Sequence, residues 1–147
     1  MYKHILIPTD GSETADKAVD AGIEYAREAK ARITLFSAVP EFQPPSQADL
    51  MTQRALSIEE HDRRSHERAR EILDPAAGWA RAAGVEFDTD YAQSDHPYLA
   101  IIEAAKRHGC DAIFMASHGR QGLAKLWHGS ETIAVLTHSD IPTLVLR

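Results

Sequence analysis

The chain has almost no cysteine, no excess of basic charge and no long apolar run, and each shortage excludes a class of protein. Cys110 is the one cysteine, so no internal disulfide can form and the fold does not rely on oxidation. It sits in Gly109-Cys110-Asp111 just before a strand-like run, the setting of a small, partly buried side chain; a reactive thiol would need a base or cation beside it, which the sequence does not place. Sixteen Lys and Arg against 22 Asp and Glu leave a net charge of −6, which disfavours nucleic acid and anionic membrane surfaces, because both need a basic face. The longest apolar run is far short of a membrane span. Met1-Tyr2-Lys3-His4 leads straight into a short apolar run ending at Pro8, and no cleavage-like region follows, so a cytoplasmic protein is expected.

Several motifs are also missing. Neither a Walker A sequence nor Gly-x-Gly-x-x-Gly occurs, which excludes a P-loop NTPase and a standard dinucleotide binder. There is no Gly-x-Ser-x-Gly elbow, and no His/Cys/Asp spacing matches a structural zinc site.

What is present suits one domain, residues 1–147, with 44% hydrophobic and 26% charged residues. His4-Ile5-Leu6-Ile7-Pro8 is apolar on both faces, as a strand buried in a parallel sheet is. Asp10-Gly11-Ser12 breaks it, and Ser12 caps a helix to about Lys30 in which Ala15, Ala18, Val19, Gly22, Ile23 and Ala26 share a face. Arg32 to Val39 is a second strand. Pro44 and Pro45 then mark a loop of about 15 to 20 residues, a length that is often functional. Ser57 to Ala83 is helical, and Pro75 is expected to kink it or to start a new turn capped by Asp74. Val85 to Tyr91 alternates like a half-solvated strand, Asp95 to His108 is a helix, and Asp111 to Ala116 a buried strand. A short helix from Ser130 to His138 and a strand from Pro142 to Arg147 complete the chain. This alternation implies a five-stranded parallel sheet with helices on both faces, a Rossmann-like or flavodoxin-like three-layer α/β/α fold.

Open parallel sheets bind ligands at the carboxyl ends of their strands, where strand order reverses, and the first and fourth strands are the expected neighbours there. Asp10, after the first strand, could accept from ribose hydroxyls or help hold a magnesium ion; the other reading is a turn-forming Asp beside Gly11. After the fourth strand, Gly119 precedes Gly129-Ser130 by ten residues, and the second pair opens a helix. Glycines let backbone N–H groups approach phosphate oxygens, a helix start adds unpaired donors, and Arg120 and Lys125 add charge. An ordinary turn before a capped helix is the plain alternative. Ser117 and His118 with Asp10 invite a hydrolase reading, but adjacent loop residues seldom hold the geometry of a nucleophile and its base, so no catalytic residue is assigned. His61, His66, His96 and His108 lie in polar surroundings and read as solvated.

These residues resemble the universal stress protein family. The resemblance is carried by Pro8-Thr9-Asp10-Gly11-Ser12, by Met115 to Leu123 with Gly129-Ser130, and by Ile141 to Leu146, in order along the whole chain. The family's nucleotide-binding branch has glycine, two residues, glycine, nine residues, then glycine with serine or threonine; here Ala116, Gly119 and Gly129-Ser130 occupy those places, with Arg120 to His128 as the nine. Ala116 departs from the pattern by one methyl group. By position, the resemblance implies that Pro8, Thr9 and Asp10 line the adenine and ribose side and that Asp10 lies near a metal. It implies that Val39 meets the adenine, and that Met115 and Ala116 flank the ribose. Ser117 and His118 belong to the same loop, and Gly119, Arg120, Gly129, Ser130 and Glu131 would present donors to the phosphates. It further implies ATP, AMP or ADP as ligand, with magnesium, and a homodimer paired through Thr143 to Leu146.

The expected function is therefore an adenine-nucleotide-binding regulator of the stress response, acting on an unidentified protein partner, with ATP hydrolysis slow or absent. The alternatives are a module with an empty nucleotide pocket that acts through protein contacts, and, less favoured, an ATP-using adenylyl-transfer enzyme, whose loop would need more glycines than Asp10-Gly11-Ser12-Glu13-Thr14 holds.

Overall fold

The computed structural model describes residues 1–52, 57–117 and 129–147. Its elements run β1 (His4–Pro8), α1 (Glu13–Ala29), β2 (Arg32–Val39), α2 (Gln47–Met51), α3 (Ile58–Ala82), β3 (Phe87–Gln93), α4 (Pro97–Arg107), β4 (Ala112–Ala116), α5 (Gly129–His138) and β5 (Thr143–Leu146). The five strands form one sheet in the order β3-β2-β1-β4-β5, and every neighbouring pair is parallel.

Each strand feeds two cores because successive side chains point to opposite faces. Ile5, Ile7, Ile33, Leu35, Val39 and Phe114 pack with Val19 and Ile23 of α1 and Leu73 of α3. Leu6, Phe36, Ile113 and Met115 pack on the other face with Ile101 and Ala104 of α4 and Val135 of α5. That double burial explains the apolar run of β1, and it buries Thr34 and Ser37 within β2 as well. Helix α1 starts where Ser12 accepts a 3.1 Å hydrogen bond from the Ala15 N–H, and it ends at Lys30, which takes the left-handed conformation with φ 55°. Gly22 lets α1 lie directly on the sheet, since a Cβ there would overlap the Ile7 side chain.

Three expectations need correction. Pro75 does not start a new helix: α3 runs without interruption from Ile58 to Ala82, with Pro75 inside it. Pro75 lies on the exposed face, while Ile72, Leu73, Ala76, Ala77 and Ala80 are buried on both sides of it. The proline-bearing loop contains a short helix, α2, closed at its start by a capping box between Ser46 and Asp49. Strand β3 begins two residues later than the alternation suggests, at Phe87, because its ladder follows β2 from Ile33↔Phe87 to Val39↔Gln93. Buried Val85 serves as the link from α3 into the core.

Candidate functional site

The reversal of strand order falls between β1 and β4, the pair expected from the sequence. Their ladder holds two pairs, Ile5↔Ala112 and Leu6↔Ile113, and the Asp111 N–H donates to the His4 carbonyl at 2.9 Å just before them. Beyond Leu6, β1 continues along β2 to Pro8↔Phe36, and beyond Ile113, β4 continues along β5 to Ala116↔Leu146. The two strands therefore part over their last residues and leave a crevice at the carboxyl end of the sheet, where open α/β sheets bind their ligands.

Pro8, Thr9 and Asp10 form one lip of this crevice. Thr9 is fully buried and its N–H donates to the Phe36 carbonyl at 2.8 Å, which extends the sheet one residue past β1. The Thr9 hydroxyl accepts from Gly11 N–H at 3.1 Å, and Asp10 Oδ1 accepts from Ser12 N–H at 2.9 Å. These two bonds hold a tight turn in which Gly11 has φ 79°, a conformation suited to glycine. Asp10 is itself buried. Its neighbourhood is strongly acidic: burial, then the carboxylates of Asp20, Asp10 and Glu13, push the Asp16 carboxyl above its ordinary range. The start of α1 therefore carries a cluster of carboxylates, Asp10, Glu13, Asp16 and Asp20.

The opposite lip is the end of β4 and the start of α5. Met115 is buried on the α4 and α5 side, and Ala116 and Ser117 are half-buried. The Ser117 N–H donates to the Leu146 carbonyl at 2.7 Å and is committed to β5. His118, Gly119, Arg120 and Lys125 lie outside the described residues. α5 is described from Gly129, with exposed Ser130 and half-buried Glu131 in its first described turn. The structure thus brings Pro8, Thr9, Asp10, Met115, Ala116 and Ser117 to the same end of the sheet, with Gly129, Ser130 and Glu131 on the helix that follows.

Val39 ends β2 two strands away from β4 and is buried. Its carbonyl accepts the Ser94 N–H at 2.7 Å, so a base edge reaching it would share that oxygen or use another backbone group. The chain after Val39 is fastened at several points. Asp95 accepts from Glu41 N–H and from Gln43 Nε2, each at 3.1 Å, and His61 Nε2–H donates to the Pro40 carbonyl at 3.2 Å. The Phe42 ring stands edge-on to His61, with centroids 5.5 Å apart. Sequence reasoning missed this strap. Its signal was the place of Asp95, two residues past the end of β3 as Asp10 is past β1.

Sequence reasoning also missed the side-chain role of Glu131, whose Oε2 accepts the Tyr98 N–H at 2.9 Å. Among the four histidines read as solvated, His66 and His96 are exposed, but His61 holds the strap and half-buried His108 donates to Asp90 at 2.8 Å. Among the described residues, no three His, Cys, Asp or Glu side chains converge on a metal position. Magnesium needs only one or two carboxylates when phosphates complete its shell, so Asp10 alone fits a phosphate-borne ion and not a protein-held one. A separate cavity of about 520 Å³ lies between α1 and the β4–β5 edge, lined by Tyr2, Tyr25, Phe114 and Leu144 among others. It shares no lining residue with the crevice lips.

Comparison with known proteins finds similarity along the whole chain. The model of the universal stress protein family matches residues 1–147. The chain is 28% identical over 149 residues to universal stress protein YxiE of Bacillus subtilis, covering all of both proteins. The solved structure of the Methanocaldococcus jannaschii protein MJ0577 superposes with a TM-score of 0.75 at 25% identity, over 99% of this chain and 96% of that one. A universal stress protein from Archaeoglobus fulgidus, solved in complex with dAMP, shares the fold with a TM-score of 0.68 at 18% identity, over 99% and 98% of the two chains.

Proposed function

Since the chain belongs to the universal stress protein family, we propose that it binds an adenine nucleotide, with ATP as the preferred form, in the crevice between β1 and β4 and acts as a regulator of the stress response. The observation that carries this reading is the parting of β1 and β4 after Leu6 and Ile113, with buried Thr9 and Asp10 on one lip and the start of α5 on the other. The dAMP held by the Archaeoglobus fulgidus relative supports the choice of ligand.

In this reading the adenine lies toward Val39 and the strap, the ribose between Asp10 and Ala116, and the phosphates at the first turn of α5. Unpaired N–H groups and the positive end of a helix dipole favour anions there. Asp10 meets a magnesium ion carried by the phosphates. The nucleotide is a ligand to be sensed rather than a substrate: the carboxylate nearest the crevice, Asp10, already accepts from Ser12 N–H and is held in a turn. A protein partner reads the bound state, in the cytoplasm. No helix among the described residues is long and apolar enough to cross a membrane.

We also propose a homodimer through β5. That strand ends the sheet with its outer edge unpaired among the described residues, and Leu144 on it is 48% exposed. An open edge of this kind is a template for a second copy. Leu144→Lys should convert a dimer to a monomer in light scattering; a wild-type monomer would defeat this part of the reading.

A second reading, an empty pocket acting through protein contacts, is favoured by Ala116 in place of glycine and by the prior claim of Ser94 on the Val39 carbonyl. Titration calorimetry with ATP, AMP and cyclic AMP separates the two. Binding of any of them supports the nucleotide reading, and no heat from all three at millimolar concentration rejects it.

A further inference from the structure

Helix α4 begins without a cap of its own. Its N-cap residue, His96, makes no side-chain bond to the helix, and Pro97 in the first turn has no N–H to offer. The Tyr98 N–H is the first donor that needs a partner, and it finds one on another helix, in Glu131 Oε2 at 2.9 Å. Glu131 belongs to the first turn of α5. The two helices touch again further along, where the Tyr98 ring lies 5.2 Å from the His138 ring at the end of α5. Ile101 and Ala104 of α4 share a core with Val135 of α5. Both helices follow strands of one parallel sheet, so both start at its carboxyl end.

A carboxylate in the first turn of a helix ordinarily serves that helix's own donors and screens its positive end. Here the carboxylate is turned onto the neighbouring helix instead. Two consequences follow for the start of α5. The bond to Tyr98 fixes its sideways position against α4, and it commits one carboxylate oxygen to a donor outside α5. Building on the nucleotide reading above, we infer that Glu131 is a positioning residue: its side chain, by capping α4, aims the first turn of α5 at the ligand's phosphates and keeps that turn free to receive them. The sequence pattern assigned Glu131 a backbone donor only; the structure assigns its carboxylate a separate task, on a helix that does not meet the ligand.

The test compares the full-length protein with Glu131→Ala and Glu131→Gln, using ATP and adenosine as probes. Alanine removes the cap, whereas glutamine keeps an oxygen that can accept the Tyr98 N–H. Expected results are an ATP affinity about tenfold weaker in E131A, unchanged adenosine affinity in both variants, and ATP binding in E131Q within about threefold of wild type. Retained adenosine binding also shows that E131A is folded. In ¹⁵N NMR, ATP should move the Tyr98 amide resonance and adenosine should not. Equal losses for ATP and adenosine would reduce Glu131 to a general structural residue and overturn the inference, and so would wild-type ATP affinity in E131A. If the unaltered chain binds neither probe, the nucleotide reading itself fails and carries this inference with it, an outcome distinct from ATP binding that E131A leaves intact.

Discussion

His108 Nε2–H donates to Asp90 Oδ2 at 2.8 Å and so joins the C-cap of α4 to the middle of the edge strand β3. Arg107 donates to the same oxygen at 2.6 Å. Burial alone would push the Asp90 carboxyl up, but the hydrogen bonds from His108 and Arg107 outweigh it and hold the group below the usual carboxylate range. A carboxylate depressed in the folded state stabilises fully above its unfolded pKa, about 3.9, and the stabilisation is lost as pH falls through the folded value. Asp90→Asn should therefore cost about 1 kcal/mol at pH 6, a modest figure because Arg107 is half exposed. Urea midpoints should converge for the two proteins below about pH 4. A gap that persists at low pH would show that Asp90 acts through packing.

Gly129 opens α5 at the proposed phosphate end. Gly129→Val should abolish ATP binding in calorimetry while the circular dichroism spectrum stays that of wild type. Unchanged ATP affinity would mean that the phosphates lie elsewhere.

Asp95 is the anchor of the strap, with bonds to Glu41 and Gln43. Asp95→Ala should release that segment and expose it to limited proteolysis between Pro40 and Pro45. If the strap borders the adenine, adenosine affinity falls by about three- to tenfold, the equivalent of one lost hydrogen bond. Faster cleavage with unaltered affinity would separate the strap from the base site.

Burial pushes the Cys110 thiol up to about 11. Only the thiolate reacts, so native protein at pH 8 should resist iodoacetamide, and protein in urea should be alkylated completely. Rapid labelling of the native protein, read by mass spectrometry, would contradict the burial.

Much of this molecule could be read from the chain itself, for physical reasons that differ by element. β1 and β2 stand at their expected limits because strands buried on both faces show as mainly apolar, β-branched segments, here ending at Pro8 and lying between Ala31 and Pro40. The start of α1 was legible in Ser12 and its end in the residue before Ala31, where the chain turns back to the sheet. α3 was misjudged at Pro75 because local sequence cannot show that Leu73 and Ala76 are pinned to the same core on either side of it. β3 slipped by two residues because an edge strand, half exposed, takes its limits from its partner β2. In the candidate site, Thr9, Asp10 and Ala116 declared themselves by their place at strand ends. His61 and the carboxylate of Glu131 did not, since each matters through a partner far away in sequence, Pro40 and Tyr98, and Asp95 shared the strand-end place of Asp10 without showing that its partners are Glu41 and Gln43.

The short ladder between β1 and β4 has a mechanical meaning. The seam between β1 and β4 holds two residue pairs, while the seam between β2 and β3 holds seven. Backbone cohesion is thinnest where a ligand would enter, with α1 bridging the seam on one side through Ile7 and Phe114. A nucleotide spanning from Asp10 to the start of α5 would act as a stitch across that seam. Its binding would then register as slower amide exchange along β1 and β4 together, a stiffening of the sheet that a partner at either edge could feel.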